Sequence, residues 1–327
     1  MKKTIKISFI TLTSSAIIYL GMAYGLTIFS TVKAPSGDLE SLKFNELQTN
    51  QQQLPELQTY QTRDGSELSY RYYESTAEQV LIFIHGSGYH SEYLQELATY
   101  LSEEGVAKVY TPNLRGHGPA PETRGDIAYI GQIDDDIYDL IDFVDQRHPE
   151  QPIILGGHSS GGGTVIRTAG GDASHEAVER YLLIAPYIHH TAPTNSSDKN
   201  EWANVNTPRM IGLSMLNQIG ITHVNDLDVI SFNMPSEYRD QTETLAYSYR
   251  LQTSMHPRSD YQKDISSMNG EIFVVAGSED GSFLVDQYQQ VFAEHPNTKI
   301  EIMDGLSHFG PIFDESAQKE IAAWLQD

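Results

Sequence analysis

The sequence predicts an α/β architecture: a mostly parallel sheet held between helices, interrupted by an inserted, mainly helical cap and preceded by an N-terminal transmembrane helix. Three observations carry that prediction. Apolar β-type runs alternate with helix-period segments along most of the chain. The strand runs are apolar at nearly every position, as strands covered on both faces must be. One region, from Tyr187 to about Met268, breaks the rhythm over a length too great for a loop and is rich in aromatics and methionines.

At the start, MKKTIK precedes a stretch from Ile7 to Val32 without a charged side chain, long enough to span a bilayer. Lys2, Lys3 and Lys6 lie before it and Lys33 after it, a bias that sets the N-terminus in the cytoplasm and the rest on the extracytoplasmic side. Ala23-Tyr24-Gly25 leaves open a cleaved signal segment and a secreted product. From Ala34 to Thr62 the chain turns polar and glutamine-rich and reads as a tether.

Strand VLIFIHG (80–86), helix YLQELATYL (93–101) and strand VAKVYTPN (106–113) follow. A helix then sets Ile133, Ile137, Leu140, Ile141 and Val144 on one face, with Asp134, Asp135, Asp136, Asp139, Asp142 and Asp145 largely off it. The aspartates read as a solvated face, since they lack the loop geometry of a calcium site. PIILGG (152–157), a helix from Ser160, YLLIAP (181–186), EIFVVAG (271–277), TKIEIMDG (298–305) and a terminal helix with Ile321, Trp324 and Leu325 complete the order. The divisions are residues 1–33 (anchor or signal), 34–62 (linker), 63–186 (core, first part), 187–268 (cap) and 269–327 (core, second part).

Composition narrows the function. With 21 Lys and Arg against 44 Asp and Glu, a net charge of −23 repels phosphate backbones, so nucleic acid is set aside as a partner. The absence of cysteine excludes disulfides, thiolate nucleophiles and Cys-ligated zinc.

The segment ILGGHSSGGGTV (154–165) carries the sharpest signal. A nucleophile on a tight strand-to-helix turn needs small residues two before and two after it, giving G-x-S-x-G. Ser159 meets this through Gly157 and Gly161, whereas Ser160 has His158 at its minus-two position. No Lys-Ser or Lys-Thr follows, as a phosphate-binding loop requires. A serine hydroxyl needs a histidine base, an orienting carboxylate and oxyanion donors. In an open α/β sheet these gather at the carboxyl ends of strands. EIFVVAG ends near Asp280 and TKIEIMDG near His308. The oxyanion donors would be the backbone N–H groups of Ser160 and of Ser87, in the His85-Gly86-Ser87-Gly88 loop. His158 reads as a structural elbow residue, and His189, His190, His256 and His295 as loop or surface residues.

With HGSG at 85–88, Asn113-Leu114-Arg115-Gly116-His117-Gly118, GHSSG at 157–161, Asp280 and His308 in hand, the chain resembles the α/β-hydrolase superfamily. Within it, the likeness is to the branch of monoacylglycerol lipases, lysophospholipases and serine aminopeptidase-like proteins. Asn113 departs from the aspartate usual at its position, which shapes a loop. The resemblance implies that the insertion caps the site and sets substrate choice, with Trp202, Met210, Met215, Phe232, Met234, Tyr247 and Tyr249 divided between cap core and acyl pocket. It implies cleavage of a lipid-like carboxylic ester through an acyl-enzyme, without metal or organic cofactor. Two alternatives stay open. One is a peptidase or amidase, with Glu201, Glu237 or Glu243 binding a substrate amine. The other is a non-catalytic binding protein of the same fold.

Overall fold

The structure is a computed structural model that describes residues 2–34, 42–48, 54–171, 176–195 and 202–327 and, within the first helix, side chains from Thr13 onward. Helix α1 (Lys2–Ile28) and a 3-10 turn at Phe44–Gln48 come first. The core then lays down β1 (Gln58–Gln61), β2 (Glu67–Tyr73), β3 (Val80–Ile84), α2 (Gln95–Glu103), β4 (Lys108–Pro112), α3 (Gln132–Arg147), β5 (Ile153–His158), α4 (Ser160–Ala169) and β6 (Val178–Ile184). The insertion holds β7 (Ala203–Val205), α5 (Thr207–Gln218), β8 (Asp228–Phe232), β9 (Ala246–Ser248), α6 (Tyr249–Ser254) and α7 (Tyr261–Ser266). The chain returns with β10 (Glu271–Gly277), α8 (Tyr288–Val291), β11 (Thr298–Met303), α9 (Gly310–Phe313) and α10 (Glu315–Gln326).

Eight strands form one sheet in the order β1-β2-β4-β3-β5-β6-β10-β11. β1 and β2, and β2 and β4, pair antiparallel; the remaining neighbours pair parallel. β3 and β5 are buried at every position. Their alternate residues serve two cores, because successive strand side chains point to opposite faces. Val80, Ile82 and Ile84 pack with α3 and α4, while Leu81 and Phe83 pack with α2 and α10. Every parallel strand points its carboxyl end toward the same edge, where the loops after β3, β5, β10 and β11 converge.

Four features depart from expectation. β1 begins at Gln58, inside the stretch read as tether, and its Tyr60 is buried against Tyr70, with ring centroids 6.2 Å apart. The cap carries a three-stranded antiparallel sheet, β7-β8-β9, beside its helices; such short strands lie below what periodicity resolves. The aspartates of α3 are not all solvated. Asp136 is buried and takes a two-pronged contact from Arg115 (Nε to Oδ2 2.8 Å, Nη2 to Oδ1 2.7 Å), and Asp134 is buried against Arg167 Nε (2.9 Å) and the Thr168 hydroxyl (3.0 Å). Likewise His189 and His295, read as loop or surface residues, are buried.

The fourth concerns the N-terminal segment. Among the described residues no helix is long and apolar enough to cross a membrane, so a transmembrane helix is not supported. The physical reason is visible in the second half of α1, which packs on α5 of the cap. The Tyr19 hydroxyl donates to the Met215 carbonyl (2.8 Å), and the Arg209 guanidinium donates to the carbonyls of Thr27 (3.0 Å) and Ser30. These carbonyls, at the carboxyl end of α1, need such donors. A Cβ on Gly212 would lie 2.5 Å from Thr27 Oγ1, which is how closely the two helices approach.

Candidate active site

Ser159 stands between β5 and α4 with φ 55° and ψ −123°, a left-handed backbone that a side-chain-bearing residue rarely adopts. The surrounding bonds over-determine it: Ser159 N–H donates to the Ile184 carbonyl (2.9 Å), and its own carbonyl accepts from Tyr187 N–H (2.9 Å) and Gly163 N–H (3.2 Å). The glycines make this turn possible. A Cβ on Gly157 would sit 2.4 Å from Gly161 backbone, and one on Gly161 would sit 2.4 Å from the Ile84 carbonyl oxygen. The cluster of glycines is thus a close-packing device around one hydroxyl.

His308 and Asp280 reach the same place from β11 and β10. His308 Nδ1 lies 2.8 Å from Asp280 Oδ2, and both residues are buried. Asp280 Oδ1 accepts from Ser282 N–H (2.7 Å) and Phe283 N–H (3.0 Å), so three donors hold one carboxylate. Its neighbours in sequence are elsewhere: Glu279 pairs with Lys43 at 3.2 Å on the surface, and Asp286 is exposed. Ser159 and His308 line one cleft together.

The loop after β3 is gripped from both sides. Gly86 N–H donates to the Tyr93 hydroxyl (2.6 Å), and Gly88 N–H donates to the Tyr247 hydroxyl (2.8 Å). The N–H of Ser87 lies between these two tied groups, and its hydroxyl accepts from Trp202 Nε1 (3.1 Å). Ser160 opens α4, where a first-turn N–H has no acceptor within the helix. Ser87, Ser159 and Ser160 all line a second cleft.

Each tyrosine continues into a histidine. Tyr93 O–H donates to His158 Nδ1 (2.9 Å), and His158 Nε2–H donates to the His308 carbonyl (3.1 Å). Tyr247 O–H donates to His117 Nε2 (2.6 Å), whose Nδ1–H donates to the Arg115 carbonyl (3.1 Å). His85 Nε2 accepts from Leu114 N–H (3.1 Å). Burial lowers His85 to about 4 and holds His117 and His158 well below the ordinary histidine range. All three are therefore neutral, as rings with one donor and one acceptor nitrogen must be. Tyr93, the bonds of Tyr247 to Gly88 and His117, and the role of His158 as a bridge escaped sequence reading, because each depends on a partner far away in the chain. Asn113 also bridges, accepting from Ser91 N–H (3.0 Å) and donating to the Ser69 hydroxyl (2.9 Å), the latter a bond an aspartate could not donate.

Two clefts flank Ser159, with Trp202 and Ser87 on the wall between them. The smaller, about 370 Å³, runs past His308 and Phe309 to Tyr93, Met234 and Phe44. The larger, about 680 Å³, lies under the cap among Tyr187, Ile230, Phe232, Met255 and Phe283. Of the cap residues considered from sequence, Trp202, Phe232, Met234 and Tyr247 line these clefts, and Met210, Met215 and Tyr249 do not. Glu237 is exposed, Glu243 accepts from Asp240 N–H (3.1 Å), and Glu201 lies outside the described residues. No carboxylate of the described residues lines either cleft. Nor, among them, does any group of His, Asp or Glu stand ready to hold a metal ion.

Comparison with known proteins speaks to the fold and the family. Residues 75–309 match the family described as serine aminopeptidase, S33. Human (Homo sapiens) monoglyceride lipase is 32% identical over 127 residues, which is 38% of this chain and 41% of that protein, so the match spans well under half of the relative. Monoglyceride lipase from Rattus norvegicus gives the same identity over the same length. Among solved structures, a soluble variant of monoglyceride lipase from Saccharomyces cerevisiae superposes with a TM-score of 0.63 at 17% identity, covering 84% of this chain and 96% of that one. The monoacylglycerol lipase of Paleococcus ferrophilus gives 0.58 at 20% identity, covering 80% and 98%. At these identities the structures speak to fold alone. The elbow, the sheet order and the matched span together lead to one conclusion: the chain belongs to the serine aminopeptidase S33 family of α/β-hydrolases.

Proposed function

We propose that this protein is a serine hydrolase that cleaves carboxylic esters of lipid-like substrates, of the monoacylglycerol lipase or lysophospholipase type. The observation that carries the reading is the strained Ser159 sharing a cleft with His308, itself bonded to Asp280, between two apolar pockets. Ser159 Oγ attacks the ester carbonyl carbon while His308 takes its proton, and the oxyanion receives the N–H groups of Ser87 and Ser160. As the tetrahedral intermediate collapses, the C–O bond to the alcohol breaks and His308 returns the proton to the leaving oxygen. Water then attacks the acyl-serine, giving a proton to His308, which hands it back to Ser159 as the acid departs. Asp280 keeps the imidazole oriented and stabilises its charged form.

Because the alcohol takes its proton from His308, it belongs in the smaller cleft, which His308 lines. The acyl chain then occupies the larger cleft, beside both oxyanion donors. The aminopeptidase activity in the family description is the second reading, and the lack of a described carboxylate in either cleft to meet a substrate amine weighs against it. A panel of monoacylglycerols, lysophospholipids and aminoacyl amides decides: turnover of the first two is expected, and turnover of the amides alone would reverse the reading.

We further propose that the enzyme works at a membrane on the extracytoplasmic side. The support is the uncharged run from Ile7 to Val32 and the exposed side chains of Ile17, Ile18, Met22, Ile28 and Phe29, with Ile211 and Ile219 of α5 close by in the fold. Protease added to intact cells should digest the catalytic domain; full protection would refute that placement.

A further inference from the structure

The chain before the core does more than lead to it. Leu42 and Phe44, from a segment in the glutamine-rich stretch, are buried, and with Leu47 they line the smaller cleft beside Ser159 and His308. Phe44 sits in an aromatic box, its ring centroid 5.4 Å from Trp202 and 5.6 Å from both Tyr238 and Phe309. Trp202 and Tyr238 belong to the cap, and Phe309 to the loop that carries His308. The segment is also pinned by polar contacts to residues next to two of the triad residues. The Ser307 hydroxyl donates to Glu46 Oε2 (2.5 Å), and Lys43 pairs with Glu279 (3.2 Å). Those partners immediately precede His308 and Asp280.

We propose that residues 42–47 form the outer wall of the leaving-group pocket, and that Phe44 sets the size of alcohol this enzyme accepts. The proposal rests on the ester-hydrolase reading above and deepens it. Since the leaving alcohol must lie on the histidine side, its far end meets Phe44 rather than any residue of the sheet. The acyl chain, on the opposite side of Trp202, does not touch this segment.

The test uses the full-length protein and two ester series, one varying the alcohol from methyl to octyl on a fixed butyryl group, the other varying the acyl chain on a fixed methanol. In Phe44→Ala the octyl-to-methyl ratio of kcat/KM should rise about tenfold, and in Phe44→Trp it should fall. In both, the acyl-chain ratio should move less than twofold. A merely structural role for Phe44 would lower all substrates alike and leave both ratios in place, which would overturn the proposal. A shift in the acyl series instead of the alcohol series would also overturn it. If the wild-type protein cleaves no ester at all, the underlying function fails, and the proposal fails with it in a recognisably different way.

Discussion

The floor of the site and its walls are built on different principles. The floor consists of loops at the carboxyl ends of β3, β5, β10 and β11, where backbone geometry does the work: Ser159 is held at positive φ, and Gly157 and Gly161 admit contacts too close for any Cβ. The walls are side chains from distant segments meeting one another: Phe44 from before the sheet, Trp202 and Tyr247 from the cap, Tyr93 from the turn before α2. On the proposed function, that difference assigns the chemistry to the floor and the choice of substrate to the walls.

Changes in the floor should therefore abolish reaction, and changes in the walls should tune it. Ser159→Ala is expected to lower kcat on the order of 10⁶-fold, with an unchanged thermal transition, as steady-state kinetics and calorimetry would show. Retained turnover would dissolve the distinction at its base. Beneath the floor, Asp136 anchors Arg115 and with it the loop that reaches His117. Asp136→Ala removes the two-pronged partner of a half-buried guanidinium and leaves it Asp64 alone as a carboxylate (3.2 Å), which should cost about 1–3 kcal/mol in urea unfolding. Asp142→Ala, on an exposed position of the same helix, should cost less than about 0.5 kcal/mol.

Tyr247→Phe and Tyr93→Phe sharpen the boundary, because these wall residues hold the loop after β3, to which the proposed function assigns an oxyanion donor. Each removes a hydroxyl that serves a backbone N–H and a histidine nitrogen at once, at a cost of about 1–3 kcal/mol. We expect kcat to fall about tenfold with KM little changed; a larger effect on KM would mean the tyrosines act on binding. A further effect is in pH. His85 is neutral when folded, with its value lowered to about 4, and becomes protonated below about 6.5 when unfolded. The unfolded state thus binds more protons across that window, and stability drops as pH falls from about 6.5 toward 4. His85→Gln should flatten the slope by up to about 1.4 kcal/mol per pH unit, as urea titrations at several pH values would reveal.

The same division explains what the sequence made legible. Ser159, Asp280 and His308 stood out because close backbone packing demands glycine at fixed offsets and because strand ends can be read from apolar runs. The succession of the core strands β3, β4, β5, β6, β10 and β11 along the chain followed from the same runs. The bonds of Tyr93, Tyr247 and His158 carry no local mark, since a tyrosine that meets a histidine far away in the chain looks like any core aromatic. The wall at residues 42–47 left one faint trace: Leu42, Phe44 and Leu47 form an apolar island amid glutamines, too short to show a period. The aspartates of α3 misled for a related reason, because α3 faces α4 and the Arg115 loop, which bring Arg167 and Arg115 to positions that look solvated on a helical wheel. Packing on the cap likewise gave the second half of α1 a partner that hydropathy alone does not reveal.

The central claim is that Ser159 is an activated nucleophile. Its most direct test is reaction of the full-length protein with a fluorophosphonate probe, followed by mass mapping of the modified residue. The account predicts a single adduct on Ser159, absent in Ser159→Ala and formed far more slowly in His308→Ala. A folded protein that takes no label, or takes it on another serine, would contradict it.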